Sequence, residues 1–216
     1  MRITKRGHAC LDLDVRGTRV LIDPGNYSRV PETAGVDALV LTHAHADHAD
    51  PALVRQILVD SPAAVLLAPA EAVAALVEVI SATGAEVDTV KPGDAAALGA
   101  TVLAFTGGRH APVHRDIDSG ANVGVLVDGT LYHPGDSFVL PDRRVPVLAT
   151  PVSGPWLKLG EVLDFVAGVR PGRVLPIHDA FLSDVGMRST VARLEYVAGE
   201  HGGALLPLVD GESAEV

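Results

Sequence analysis

One cysteine, Cys10, stands in a chain of 216 residues, so no disulfide can form within the chain. That usage fits a reducing compartment, and the expected role of Cys10 is a small, buried apolar residue in a strand. Aromatic residues are scarce at 4%, so a core has to be built mainly from Val, Leu and Ala. Basic residues are short too: 17 Lys and Arg against 27 Asp and Glu give a net charge of −10. A nucleic-acid backbone needs a basic surface to neutralise its phosphates, so nucleic acid is not the expected partner. A small anionic substrate remains open, because bound metal ions reverse the potential locally. The stretch Met1 to His8 has no apolar segment of signal-peptide type. The most apolar region, 63–80, is broken by Pro69, Glu71 and Glu78 and is no membrane span. The expectation is a soluble, cytoplasmic protein.

What is present is a hydrophobic fraction of 48%, with 22 Gly and 15 Pro, which implies a sizeable core cut by many turns. Residues 2–6, 9–15 and 18–23 read as strands, with a tight turn at Arg16-Gly17 and a firm stop at Asp23-Pro24-Gly25. A loop over 26–36 precedes a strand at 37–41. Helical patterns follow at 51–59 and 69–82, the second with Leu76, Val77 and Ile80 on one face. Strands are expected at 63–68, 86–90, 101–106, 122–127, 130–133, 145–150, 173–177 and 204–209, and helices at 158–169 and 187–200. Asp128-Gly129 is the strongest hairpin signal. Gly17-Thr18 leads to Asp23-Pro24-Gly25, and Gly129-Thr130 leads to His133-Pro134-Gly135, an offset of 129 − 17 = 112 residues. Two similar β-rich halves packed face to face would leave that echo; ordinary hairpin chemistry would also. No linker divides the chain, so residues 1–216 read as one domain.

The segment Thr42-His43-Ala44-His45-Ala46-Asp47-His48-Ala49-Asp50 carries the chemistry. Three imidazoles and a carboxylate fall within six positions. Asp50-Pro51 reads as an N-cap with proline at the first helical position. The cluster therefore sits on a turn between a buried strand and a helix, where several side chains can be aimed together. His and Asp there suit a borderline metal such as zinc. Further ligand types come just after predicted strands: His110, Asp136 and His178. Strand ends at one sheet edge share a crevice, and these residues complete a set of seven, enough for two metal ions.

With His43-x-His45-x-Asp47-His48, the segments Tyr132-His133-Pro134-Gly135-Asp136-Ser137 and Pro176-Ile177-His178, and the stretches Gly7-His8 and Leu21-Ile22-Asp23-Pro24, the chain resembles the metallo-β-lactamase-fold hydrolases. Within them it looks nearest to the small branch that includes the ascorbate-6-phosphate lactonases. The resemblance implies an α/β (α+β) fold, a four-layer αββα sandwich with metals at one edge. It implies that His43, His45 and His110 hold a first ion, that Asp47, His48 and His178 hold a second, and that Asp136 bridges them. Zinc is the default, with manganese or iron as alternatives. Asp47, His48 and Asp136 are then the catalytic candidates. His114 competes with His110 for the mid-chain ligand position, or contacts substrate. Asp23 fits a supporting aspartate that orients the cluster, or is a turn residue before Pro24; His133 is expected to support Asp136.

Two ions ~3.5–4 Å apart can hold a hydroxide that attacks a carbonyl or phosphoryl centre. Substrate contacts are sought among Arg109, His114, Trp156, Lys158 and His8, although Lys158 and His8 also fit plain surface residues. The expected activity is hydrolysis of an ester, lactone or phosphoester of a small molecule. The alternatives are iron-dependent thioester or persulfide chemistry in the same pocket, and a metal-bound regulatory protein without catalysis. A nuclease is disfavoured by the acidic charge. Self-association into a homo-oligomer is left open.

Overall fold

Short turns and intervening helices decide which strands pair antiparallel and which in parallel. In the computed structural model, which describes residues 1–216, β1 (Arg2–Lys5), β2 (Leu11–Val15) and β3 (Thr18–Ile22) form an antiparallel meander. Then come β4 (Ala38–Val40), helix α1 (Pro51–Asp60), β5 (Val65–Ala68), short helices α2 (Ala70–Ala75) and α3 (Val77–Thr83), and β6 (Glu86–Thr89). The pairs from β3 to β6 are parallel, as crossover connections require. The second half repeats the plan. β7 (Ala95–Leu98), β8 (Thr101–Gly107), β9 (Val123–Val127) and β10 (Leu131–His133) are antiparallel neighbours. β11 (Val147–Pro151), helix α4 (Leu159–Val169), β12 (Arg173–Ile177), helix α5 (Asp184–Glu200) and β13 (Ala204–Leu205) continue in parallel pairing from β10. The last strand, β14 (Ser213–Glu215), returns to pair with β1. The sheets are ordered β14-β1-β2-β3-β4-β5-β6 and β13-β12-β11-β10-β9-β8-β7.

The layers follow from what the apolar faces cover. A central cluster of 21 buried residues takes side chains from both sheets, among them Ile3, Leu13, Val40, Phe105, Val125 and Leu175. A second cluster joins the outer face of the first sheet to α1, where Val54, Ile57 and Leu58 are buried at helical spacing. A third joins the other sheet to α4 and α5 through Val162, Phe165, Val166 and Leu194. This is the four-layer αββα sandwich.

The echo at offset 112 marks equivalent places. β3 and β10 each pair antiparallel with the strand before and parallel with the strand after, and each ends at a Pro-Gly. Their hairpins have positive φ at both central residues: 56° and 87° at Arg16-Gly17, 51° and 65° at Asp128-Gly129. This is the turn geometry that matches strand twist. The two turns also meet, with an Arg16 guanidinium N–H donating to Asp128 Oδ2 at 2.6 Å.

Several expectations change. The helix expected over 69–82 breaks at Leu76 (φ −104°, ψ 14°) into α2 and α3. The break keeps Leu76 buried and turns Val77, expected on the inner face, out to solvent at 57% exposure. The strand expected over 204–209 ends at Leu205, because Pro207 has no N–H for the ladder. The edge strands β7, Ala-Ala-Ala-Leu, and β14, Ser-Ala-Glu, lack the β-branched residues that announce a strand. Cys10 is buried as expected, one residue ahead of β2, and burial pushes its thiol up. No helix is long and apolar enough to cross a membrane.

Candidate metal centre

Every strand that delivers a site residue runs in one direction within its sheet. In the first sheet β3 and β4 are parallel, and β1 shares their direction because β2 opposes both β1 and β3. In the second, β10, β11 and β12 are parallel, and β8 shares their direction through β9. Their carboxyl ends therefore deliver His8, Asp23, the Thr42–Asp50 segment, His110, Asp136, Trp156 and His178 to one edge.

Asp23 and Thr42 set the first support. Asp23 is fully buried; its Oδ1 accepts from Thr42 N–H at 2.8 Å, and its Oδ2 accepts from Thr42 Oγ1 at 2.7 Å and faces His48 Nδ1 at 2.7 Å. Thr42 Oγ1 in turn faces His43 Nδ1 at 3.0 Å, and His110 Nδ1 lies 2.6 Å from its own chain's Ala111 carbonyl. Each Nδ1 donates in these pairs, so the proton is held there and the Nε2 lone pair is left free, as metal-ligating imidazoles require.

Those Nε2 atoms converge. His43, His45 and His110 form one group whose ligand-type atoms lie within 4.8 Å of one another; His8, Asp47, His48 and His178 form another, and His43, His48 and Asp136 a third that joins them. Asp136 Oδ1 lies 3.1 Å from His48 Nε2, while its Oδ2 lies 3.2 Å from His110 Nε2 and 3.1 Å from His178 Nε2. Asp47 Oδ2 lies 3.5 Å from His178 Nε2 and 3.4 Å from His8 Nε2. His43 Nε2, His48 Nε2, His178 Nε2 and Asp136 Oδ1 are buried with no hydrogen bond of good geometry. Buried polar atoms are almost always satisfied, so this concentration of orphans at one point fits a bound cation. The donor set, imidazole with carboxylate, fits zinc, manganese or iron.

The electrostatics agree. Burial opposes the charge on Asp136, but the charge on His48 and the His110 and His178 rings hold its carboxyl well below the usual range. Burial likewise opposes the charge on Asp47, and is outweighed by the His178 and His8 rings. Burial, then the charge on His48, push His43 well down. Burial would neutralise His48, yet the charges of Asp136 and Asp23 raise it well above the usual value. His178, raised against burial by Asp136 and Asp47, reaches about 9. An anionic cleft crowded with imidazoles holds protons where cations would otherwise sit.

Two glycines allow the turns to close. A Cβ on Gly25 would lie 1.8 Å from the Asp47 carbonyl oxygen, and one on Gly135 would lie 2.2 Å from Asn122 Oδ1. The Gly25→Ala variant is therefore expected to lose the native fold or its metal-binding turn outright, since backbone rather than a flexible side chain blocks the Cβ. Far-UV circular dichroism and zinc content read this; a native-like variant with unchanged zinc content would contradict it.

The remaining sequence candidates divide. Trp156 is buried, with ring centroids 5.6 Å from His110 and 5.9 Å from His178. Arg109 pairs with Asp118 at 2.6 Å on the surface, and His114 is exposed beside Asp116. Both line a cavity of about 630 Å³ that also takes in His110. Lys158 is exposed at the head of α4, where Glu161 accepts from its N–H at 3.0 Å. His133 is fully occupied, its Nε2 donating to Ala9 O at 2.9 Å and its Nδ1 accepting from Gly135 N–H at 3.1 Å. His8 is buried at 2% exposure, which overturns its reading as a surface histidine. The sequence reading missed Thr42, Asn122 and Lys5. Asn122 Oδ1 accepts from Asp136 N–H at 2.9 Å and its amide donates to Pro134 O, fixing the Asp136 turn. Lys5, buried, pairs with Asp179 next to His178. A buried lysine opposite an aspartate leaves no local sequence signal, whereas Thr42 abuts the histidine cluster and could have been noticed as a cap for Asp23.

Residues 2–178 match the family model of the β-lactamase superfamily domain. The protein Rv0786c of Mycobacterium tuberculosis is 37% identical over 189 residues, covering 85% of this chain and 86% of that one. A UPF0173 metal-dependent hydrolase of Aeropyrum pernix is 30% identical over 202 residues, covering 82% of this chain and 81% of its own length. Among solved structures, Igni18, a metallo hydrolase of Ignicoccus hospitalis, superposes with a TM-score of 0.74 at 21% identity, covering 99% of this chain and 97% of that one. CmlA, a diiron β-hydroxylase of Streptomyces venezuelae, reaches 0.76 at 17% identity over 54% of its length, so the likeness of fold spans more than one chemistry. With its family matched over most of its length and its histidines and aspartates gathered at one sheet edge, the chain belongs to the β-lactamase superfamily and is a metal-dependent hydrolase of the metallo-β-lactamase fold.

Proposed function

We propose that the chain holds two divalent metal ions and hydrolyses an ester, lactone or phosphoester bond of a small substrate. His43, His45 and His110 would hold one ion, Asp47, His48 and His178 the other, with Asp136 shared. The observation that supports this most is the position of Asp136: one carboxylate oxygen faces His48, and the other faces His110 and His178. A carboxylate so placed reaches both histidine groups at once. When bound, such ions act as Lewis acids and lower the pKa of water to roughly 7.

The chain's own residues supply the rest. Asp23 keeps His48 in its ligating tautomer, and Asn122 holds the Asp136 backbone in place. Trp156, packed near His110 and His178, walls the site, with its indole N–H enclosed beside Gly154. The cavity over His110 is polar, with Arg109 and Arg115 facing Asp118 and Asp116, and offers a substrate both kinds of charge. The protein is read as cytoplasmic.

Zinc-, manganese- or iron-loaded protein assayed against lactones, phosphodiesters and thioesters tests the reading. At least one class should turn over and lose at least ~10³-fold in rate after chelation, a loss of several kcal/mol of metal assistance. Undiminished hydrolysis by protein verified as metal-free would sink it.

Metal uptake should also release protons. His48 and His178 are raised above the usual imidazole value, and a ligating imidazole is neutral. At pH 7.5 protons should appear on loading, from these rings and from metal-bound water that ionises, as read by calorimetry in buffers of different ionisation enthalpy. Linkage gives the sign for the metal-free protein. A raised pKa contributes stability that is complete below the unfolded value of ~6.5 and is lost as pH rises through the folded value. For His178 that loss centres at about 9. Metal-free protein should therefore melt at lower temperature at pH 9.5 than at pH 7, and zinc-loaded protein should not share that trend. Zinc binding without proton release would contradict both expectations.

A further inference from the structure

We infer that His8 turns its Nε2–H toward Asp47 to position that carboxylate and is not a fourth ligand of the second ion. The inference rests on the two-ion reading for its consequence, though its core claim concerns only the ring. By proximity alone His8 qualifies as a ligand, since a ring nitrogen of His8 lies within 4.8 Å of an Asp47 carboxylate oxygen and of ring nitrogens of His48 and His178. Its tautomer excludes it. The Nδ1 atoms of His43, His48 and His110 each face an acceptor: Thr42 Oγ1, Asp23 Oδ2 and the Ala111 carbonyl. His8 is reversed: Ala180 N–H donates to its Nδ1 at 3.2 Å. An Nδ1 that accepts must keep its lone pair, so the ring is neutral and its proton sits on Nε2. A protonated nitrogen cannot coordinate.

That Nε2–H is buried, has no hydrogen bond of good geometry, and lies 3.4 Å from Asp47 Oδ2. His178 is the other ring within reach of the Asp47 carboxylate, at 3.5 Å. Once His178 gives its Nε2 to an ion, His8 is the donor left to orient Asp47. Carboxylate ligands are ordinarily held by such a partner, and losing it typically costs ~10–100-fold in metal affinity or activity.

The local backbone is built for this placement. Gly7 has φ 98°, and a Cβ there would meet Tyr27 O at 2.7 Å. His8 itself has φ 51°, a left-handed conformation that is strained for a non-glycine residue and persists where its surroundings enforce it. They do: His178 N–H donates to His8 O at 2.9 Å, and the His8 ring lies 3.9 Å from the His178 ring centroid, with Tyr27 and Phe181 edge-on at 5.2 and 5.7 Å. His8 is thus a positioning residue, clamped on all sides with one polar atom turned to Asp47.

Ring nitrogen-15 NMR of the full chain, metal-free and zinc-loaded, tests the claim. His8 should show an unprotonated Nδ1 and a protonated Nε2 in both states. An Nε2 that loses its proton and takes a zinc-bound shift on loading overturns it. Zinc content and chelator competition give the second readout. His8→Gln, whose amide N–H reaches the place of Nε2, should hold the wild-type zinc complement with near wild-type affinity. His8→Ala should fill at saturation but bind the weaker ion ~10–100-fold less tightly. Loss of one zinc at saturation in His8→Gln, as expected for His178→Ala, overturns the inference, as does wild-type affinity in His8→Ala. If His8→Ala fails to fold, the wild-type spectra and His8→Gln still decide. If wild-type protein itself takes up fewer than two ions, the two-ion reading fails, while the ring tautomer still decides the role of His8.

Discussion

Replacing Asp136 by alanine should reduce hydrolysis to background, a loss of at least ~10³-fold, and should remove metal from the centre. Three Nε2 atoms, from His48, His110 and His178, lie within 3.1 to 3.2 Å of this one carboxylate. No other acidic side chain reaches both histidine groups. The loss should come from the centre rather than from the fold. The Asp136 turn is held by backbone bonds, N–H to Asn122 Oδ1 and Ala111 N–H to Asp136 O at 2.8 Å, and neither uses the carboxylate. Removing Asp136 leaves the buried His48 and His178 rings without their partner, which usually costs roughly 3–5 kcal/mol. The metal-free variant should therefore melt below wild type, and turnover is to be compared at a temperature where both are folded. Thermal melts of metal-free wild type and Asp136→Ala, with turnover of the loaded forms, check this. A variant with more than a tenth of wild-type activity would contradict it.

Replacing Asp23 by alanine should cost roughly 3–5 kcal/mol of stability, the usual result of taking one partner from a buried charged network. Asp23 is fully buried, and its removal strands Thr42 N–H, the Thr42 hydroxyl and His48 Nδ1. The same change frees the His48 ring to take either tautomer, so the second ion should bind ~10–100-fold more weakly. Asp23→Asn separates the two effects. Its amide oxygen can still accept from Thr42 N–H and recover part of the stability, but without a charge its hold on His48 is weaker, and the metal defect should persist. Urea unfolding gives the stability and chelator competition gives the affinity. A cost below 1 kcal/mol for Asp23→Ala would mean that Asp23 is only a turn residue before Pro24.

Much of this arrangement could be read from the chain before its structure. The Thr42–Asp50 segment declared a strand–turn–helix with its cap, and Asp50 does cap α1, accepting from Ala52 N–H at 3.3 Å. The offset of 112 residues between the two Pro-Gly strand ends reported two equivalent β–turn–β units: their hairpins share positive φ at both central residues, and each Pro-Gly glycine sits where a Cβ would clash, Gly25 against the Asp47 backbone and Gly135 against the Asn122 and Thr42 side chains. Later strand ends could be ordered by their apolar runs, which is why His110, Asp136 and His178 were legible as a group.

The rest depends on contacts distant in sequence. Nothing local to His8 says that it is buried, because what buries it comes from Tyr27 and from the 178–181 turn. Lys5 with Asp179, and Asn122 with the Asp136 turn, are pairings 174 and 14 residues apart. The break in the 69–82 helix reflects tertiary packing of Leu76 over local propensity. The edge strands β7 and β14 are held by their neighbours' ladders rather than by their own composition.

The central claim is that this fold gathers a centre for two ions around one shared carboxylate. Elemental analysis of the full chain after saturation with zinc and removal of free metal tests it most directly. Two zinc ions per wild-type chain, with a marked loss in Asp136→Ala, is the predicted result. One ion or none per wild-type chain, or two ions retained in the folded Asp136→Ala variant, would contradict it.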